Sequence, residues 1–447
     1  MVLVRRRYYF WLFKAYVKKW RRTILTSIII GAVAFFAFFL LLNYYVFNFF
    51  KDPTEKVGYA GSYTVTTLPS EILSQVSMGL TQIDEHGEIK PAAASSWKVS
   101  NDSKTVTFTL KNGLSFTNKK PFTAKDVSYS FKDVKKEVIN KNTISFTMKN
   151  PYAPFLSVTS KPIIIKNHGL GNYFISKTEL NGGFLKTLTL QRKSDGNKKI
   201  ISFYPTQDAL KTAFLLGEID SIEKGAFDKG AVAYFKDWKN VELQKEVDYD
   251  TLVTVFFNTV DPTLSNKKVR QALSYALPET FAEGERSFSF LPTHSIYYAE
   301  SPNEGLIDLA LSKELLASSN LKDIRLTITS ADELLPIAKK ISESWKKIGV
   351  KTKIVTSGDV PSNFEVLIFP IKRPADPDLY TLWHSNQPNN ITQYKNVRID
   401  KLLEDGRTTM SNNDRIQIYA DMQKYLLDDA PAAFLYFPYE YRITRKD

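Results

Sequence analysis

Thr23 to Phe50 is a run of 28 residues without one charged side chain, including Ile28-Ile29-Ile30 and the stretch from Phe35 to Leu42. About 20 apolar residues suffice to span a bilayer as a helix, so this run crosses with some tilt. Upstream of it, residues 1–22 hold Arg5, Arg6, Arg7, Lys14, Lys18, Lys19, Arg21 and Arg22 and no acid. A basic flank of this kind stays in the cytoplasm, which sends residues 51–447 to the outside or the periplasm. The rival reading is a cleaved signal peptide, whose apolar region usually runs about 7–15 residues and ends at a small-residue site. Here the run is longer, and the one small triplet, Ala32-Val33-Ala34, lies inside it. The sequence therefore predicts a cytoplasmic tail over 1–22 and an uncleaved single-pass membrane anchor in lipid over 23–50.

This placement changes the meaning of the charge. The chain is formally +13, which by itself invites a nucleic-acid partner. Eight of its 60 Lys and Arg belong to the tail, leaving 52 against 47 acids outside, an ordinary surface that argues against nucleic acid. With 43% hydrophobic residues, the outer part can bury the cores of two or three domains. Cysteine is missing altogether, which excludes disulfides, thiolate metal sites, thiol catalysis and an acylated lipoprotein anchor. The helix must then be the tether.

Along the outer part, 51–62 is polar and punctuated by Gly and Pro and reads as a linker. Val106, Phe108 and Leu110 alternate with threonines, and Asn112-Gly113 followed by Leu114 and Phe116 predicts a hairpin. Thr123 with Asp126 reads as a helix start, with Val127, Phe131 and Val134 behind it. Gln207–Leu216 has helical spacing closed by Gly217. Later, Ile324–Thr329 reads as a strand and Ser330 with Glu333 as a capping box. Leu334, Ile337, Ile341, Trp345 and Ile348 then trace one helical face ended by Gly349. Strands over 350–355 and 364–369, a helix over 414–427 and a strand over 434–437 complete a mixed α/β pattern.

Enzyme signatures are missing from this pattern. The histidines at 86, 168, 294 and 384 form no zinc motif, Gly169-Leu170-Gly171 lacks the third glycine of a dinucleotide loop, and no GxSxG occurs. Acidic pairs such as Asp376/Asp378 read as turns or caps. No metal, cofactor or catalytic constellation is expected.

A set of ordered segments is more telling. Asp84-Glu85-His86-Gly87 and Pro91 lead into Ala94 to Asp102, then Lys111 to Phe116 and Pro121 to Val127. Gly169 to Tyr173, Leu216 to Asp220, Phe257-Asn258, Lys268 to Ala276, Lys347 to Val350 and Asp376-Pro377-Asp378 follow in order. Taken together, over 63–440, the chain resembles the extracellular solute-binding proteins of family 5, the peptide- and nickel-binding components of ABC importers.

The resemblance implies an α/β fold of two lobes, like type II periplasmic binding proteins, with an additional small α/β domain and the transmembrane helix in front. It places lobe I in 63–78, 158–250 and 428–447, the additional domain in 79–157 and lobe II in 251–427. It implies a monomer that closes over a peptide or similar small ligand and delivers it to an ABC permease, without a cofactor. Extended stretches near Thr66, Thr67 and Leu68 and from Pro370 through Lys372 to Arg373 would pair with the ligand backbone. Asp376, Trp383 and His384 are further candidates for the cleft. Peptide binders of the family often have an Asp where this chain has Arg373, and a guanidinium cannot pair with an ammonium but can grip a carboxylate. A ligand sensor or scaffold on the same fold, and less so an envelope hydrolase, are the alternatives.

Overall fold

The structure is a computed structural model that describes residues 2–50, 54–227, 229–300 and 305–446, with side chains described for 7–42, 54–227, 230–300 and 305–446. It has two compact units, Met1–Thr54 and Glu55–Asp447. In the first, the helix Val2–Lys19 is followed, after a break at Trp20, by the helix Arg21–Phe50. The basic tail is thus largely helical, and it contains no Gly or Pro to interrupt the helix. Arg21–Leu42 is long and apolar enough to cross a membrane, with a mean hydropathy of 2.7 and none of it buried.

The second unit is organised by a 12-stranded sheet that serves two halves of the chain. In one half, Glu55–Ala60 lies between Lys198–Tyr204 and Ser221–Gly225, parallel to both, and Phe184–Arg192 and Tyr173–Asn181 continue outward antiparallel. In the other half, Thr251–Phe257 pairs antiparallel with Val366–Lys372. That strand runs parallel to Arg325–Ser330, which is parallel in turn to Lys351–Thr356. Each half has its own core, with Val57, Ile72, Leu188 and Ile201 in one and Val255, Phe257, Leu273, Ile328, Ile341 and Trp345 in the other.

Two strands cross between the halves. The chain passes from Val241–Val247 through Asp248-Tyr249-Asp250 into Thr251–Phe257. The long strand Ala432–Arg445 returns beside it, pairing with the second half up to Pro438 and with the first half from Tyr439. Phe434 to Phe437 is buried on both faces where it pairs within the second half.

A third core forms on a separate four-stranded antiparallel sheet, ordered Ala94–Val99, Thr105–Leu110, Thr143–Met148, Val134–Asn140. Val106, Phe108 and Leu110 are buried in it as their alternation predicts. Three local expectations fail nearby and beyond. Thr105–Leu110 finds its partners in 94–99 and 143–148 rather than across Asn112-Gly113. Thr123 and Asp126 do form a capping box, but on a single turn, Ala124–Asp126, after which the chain enters a strand at Val134. Ser330 ends its strand and its hydroxyl donates to the Ala331 carbonyl, so no side chain caps the turn that leads into Leu335–Lys346.

The expected linker is corrected as well. Residues 51–53 lie outside the described residues, and Glu55–Ala60 is an interior strand of the sheet. Val57 and Tyr59 are buried, and Gly58 is closely packed: a Cβ there would lie 2.4 Å from Ile219 Cδ1 and 2.5 Å from Leu210 Cδ1. Its glycine, read as flexibility, serves close packing instead.

Candidate functional site

Between the two halves lies a cleft of about 1130 Å³. One side is built from the helix Ser70–Val76, the chain from Ser77 to Asp84–Gly87, the tip of a hairpin of Thr81–Ile83 and Ile89–Pro91, and Ser160–Pro162. The other side is built from Tyr249 and Asp250 of the crossover, the loop Leu291–Ser295, and Arg373, Ala375 and Pro377.

The helix that presents Ser70, Leu73 and Ser74 is held from behind by Gly169-Leu170-Gly171. Gly171 N–H donates to the Val76 carbonyl at 2.9 Å, and Leu170 N–H to Ser77 Oγ at 3.0 Å. A Cβ on Gly169 would come within 2.2 Å of the Val76 carbonyl oxygen, so only glycine permits this approach. The segment thus has a packing role that positions the cleft.

On the opposite side, Arg373 follows the strand Val366–Lys372, and its backbone N–H donates to Asp250 O at 2.7 Å. Its Nε donates to Tyr249 O at 3.0 Å, which fixes the plane of the guanidinium. Burial pushes this group below its ordinary range, against the pull of Asp250 and Asp248. Tyr249 packs edge-on against His294, with ring centres 4.4 Å apart, and its hydroxyl donates to Glu285. Burial and Glu285 push that phenol up to about 12. Burial, then His86 and Arg373, lower the His294 imidazole below its ordinary range, against Glu285 and Glu85.

The hairpin tip reaches across the cleft. Ile296 N–H donates to the His86 carbonyl at 2.9 Å, and His86 Nδ1 lies 2.9 Å from the His294 carbonyl. A carbonyl only accepts, so Nδ1 carries the proton. These two bonds brace one end of the cleft.

Behind the crossover is a second cavity of about 380 Å³, sharing Tyr249 and Asp250 with the first. Lys224 bridges Glu71 at 2.5 Å and Glu440 at 3.8 Å within it. Burial, then Asp248, pushes the Glu440 carboxyl up to about 7.

Of the residues singled out from the sequence, Leu68 and Arg373 line the cleft. Thr66 and Thr67 sit in a turn rather than an extended strand: Thr67 N–H donates to Thr64 O, and the Thr64 hydroxyl bonds those of Thr66 and Thr67. Lys372 is exposed, and its Nζ is held by Thr251 Oγ1 at 2.5 Å and Asp248 at 3.4 Å. Asp376 is buried in an ion pair with Arg415 at 2.6 Å and also caps Asp378 N–H. Burial works against the Arg415 guanidinium, but Asp376 more than offsets it and holds it above its ordinary range. Trp383 is core, tilted on Phe256, and His384 is buried under Tyr380 with Nε2 3.4 Å from Glu404. None of these six lines the cleft.

The residues missed are Tyr249, Asp250, His294 and the hairpin tip. Asp248-Tyr249-Asp250 carried one signal, a polar break between two strand patterns. His86 and His294 carried none, being 208 positions apart.

Comparison with known proteins agrees with this architecture. The curated relatives include protein XP55 of Streptomyces lividans, 25% identical over 430 residues (81% of this chain, 78% of that protein). Another is the oligopeptide-binding protein OppA of Bacillus subtilis, 24% identical over 472 residues, covering 82% of this chain and 83% of that one. Among solved structures, the ABC transporter substrate-binding protein CtaP of Listeria monocytogenes superposes with a TM-score of 0.75 at 22% identity, over 88% of this chain and 94% of that one. NikZ of Campylobacter jejuni, solved with Ni(L-His), gives 0.73 at 21% identity, over 89% and 94%. The fold is thus the two-lobed α/β fold of periplasmic binding proteins. The model of the bacterial extracellular solute-binding proteins, family 5 (middle region), matches residues 88–390, well over half of the chain, and the chain belongs to that family.

Proposed function

We propose that this chain is the membrane-tethered substrate-binding protein of an ABC importer, and that it captures a peptide or similar small ligand by closing its two lobes. The observation that carries the reading is the cleft itself, about 1130 Å³ between halves joined, among the described residues, by two crossover strands. A pocket between lobes linked in this way opens and shuts by small backbone changes at the crossovers, and a ligand that touches both sides selects the shut state. The site comprises Leu68, Ser74, Tyr249, Asp250, His294 and Arg373, with no catalytic step. The relatives named for oligopeptides and the neighbour solved with Ni(L-His) set the range of ligands to be tested. The apolar helix near the N-terminus serves as an uncleaved anchor in the cell membrane, with the second unit outside as a monomer facing the permease.

Native mass spectrometry of the full-length chain released from detergent tests the reading. The expected result is a co-purified small molecule, lost when Ser74→Trp fills the cleft. A folded protein that carries no small molecule, or one retained equally by the filled variant, would count against it.

A further inference from the structure

We infer that the ligand enters the cleft carboxylate first and that Arg373 is the group that grips it. The inference rests on the cleft being the ligand site and adds the polarity of what it takes.

Arg270 and Arg415 are buried, and Arg407 and Arg373 are half-buried. Arg415 is neutralised by Asp376 at 2.6 Å, and Arg407 holds both oxygens of Asp378 at 2.9 Å. Arg270 donates to the carbonyls of Leu264, Ser265, Asp429 and Ala430. These cations are either paired or wrapped in carbonyl oxygens, which is what taking a charge out of water requires.

Arg373 is different. Nε is used on Tyr249 O, and Nη1 makes one long bond of 3.4 Å to Pro374 O. Nη2 has no acceptor among the described residues, and no carboxylate lies within ion-pair distance of the guanidinium. The end-on face formed by Nη1 and Nη2 is the fork that matches a carboxylate with two parallel bonds. Because Nε is anchored to the crossover backbone, the fork is held in place before a ligand arrives, so little side-chain freedom is lost on binding.

The surrounding groups do not supply the anion. Asp84 accepts the N–H groups of His86 and Glu88 and lies 3.8 Å from Lys90. Glu85 sits 3.6 Å from His86 Nε2. Asp248 is committed to Asp250 N–H, the Thr251 hydroxyl and Lys372. Asp250 is exposed, attracting Arg373 without pairing with it. An incoming carboxylate therefore meets a fixed guanidinium fork that no carboxylate of the described residues engages, with the imidazole of His294 on the same side of the cleft.

The test uses the full-length chain in detergent and matched probes: di-, tri- and tetra-alanine with free C-termini, and the same peptides as C-terminal amides. Thermal shift at millimolar concentration reads binding, since a ligand that binds only the folded state raises Tm. The free acids are expected to raise Tm, and the amides to bind at least about tenfold more weakly. In Arg373→Lys, which keeps the charge and loses the fork, acid binding weakens by about tenfold, and Arg373→Gln no longer distinguishes acid from amide. Should either variant fold poorly, the acid–amide comparison on the unaltered chain still decides. Equal binding of acids and amides overturns the inference, as does a shift from no member of any pair. A small molecule seen by native mass spectrometry together with either result would sink this inference alone, whereas no bound molecule and no shift would sink the functional reading as well.

Discussion

Asp376 and Arg415 show how little a residue's type says about its task. An Asp beside a turn near a cleft reads as a ligand contact, yet its carboxylate faces inward to a guanidinium that is itself bonded to Tyr297 and Tyr419. Removing one member of a buried pair strands the other, which costs about 3 to 5 kcal/mol. Asp376→Ala is therefore expected to lower stability by that order in chemical denaturation and to leave the co-purified ligand in place. Loss of the ligand at unchanged stability would return Asp376 to the site. Trp383 and His384 were illegible for the same reason, since a short helix turns both inward and local sequence does not encode that direction. Arg373 was legible as an unusual charge, but its lack of a partner becomes visible only when strands from distant parts of the chain are assembled. Glu440 gives a second test at this scale. Its folded pKa of about 7 lies above the ordinary value of 4.5, so the folded state binds the proton more tightly. Its contribution to stability is present below about pH 4.5, falls as pH rises towards 7, and is lost above it. Relative to Glu440→Gln, the unaltered chain should lose up to about 3 kcal/mol across that window, and a difference that does not vary with pH would contradict the assignment.

The elements that could be read from the sequence were those whose signals are local. Gln207–Leu216 begins with Thr206 accepting Ala209 N–H and ends at Gly217 in the left-handed region, and Leu335–Lys346 buries the expected face. The hairpin after Thr105–Leu110 failed because that strand takes its partners from 94–99 and 143–148, and competition between possible partners is a tertiary matter. Glu55–Ala60 failed more instructively. Six residues containing one glycine resemble a linker, although the strand lies in the middle of a parallel arrangement. Gly58→Val tests this directly. In a linker it would be silent, whereas in the sheet its side chain overlaps Leu210 and Ile219, and overpacking costs about 1 to 3 kcal/mol or more. A Tm unchanged by this substitution would contradict the strand.

For the whole molecule, the two crossovers that run past Asp248 are the feature on which the proposed closure of the cleft rests. Asp248 N–H donates to Pro438 O at 2.8 Å, tying one crossover to the other, and its carboxylate accepts from Asp250 N–H and the Thr251 hydroxyl. Under the proposed closure, the bend would fall on these few residues, as hinges generally do. Across the open side, the His86 contacts to 294–296 provide bonds that one lobe arrangement makes and another would break. The two-lobed fold was visible in the order of short segments along the chain, while the pairing of 432–445 with both halves was not. Because the chain has no cysteine, lobe closure can be measured without background labelling. Spin labels at Lys186→Cys and Lys339→Cys, exposed positions on the first and second lobes, report the separation by pulsed electron paramagnetic resonance. Addition of a pool of short peptides is predicted to shorten and narrow the distance distribution, and an identical distribution with and without peptides would contradict capture by lobe closure.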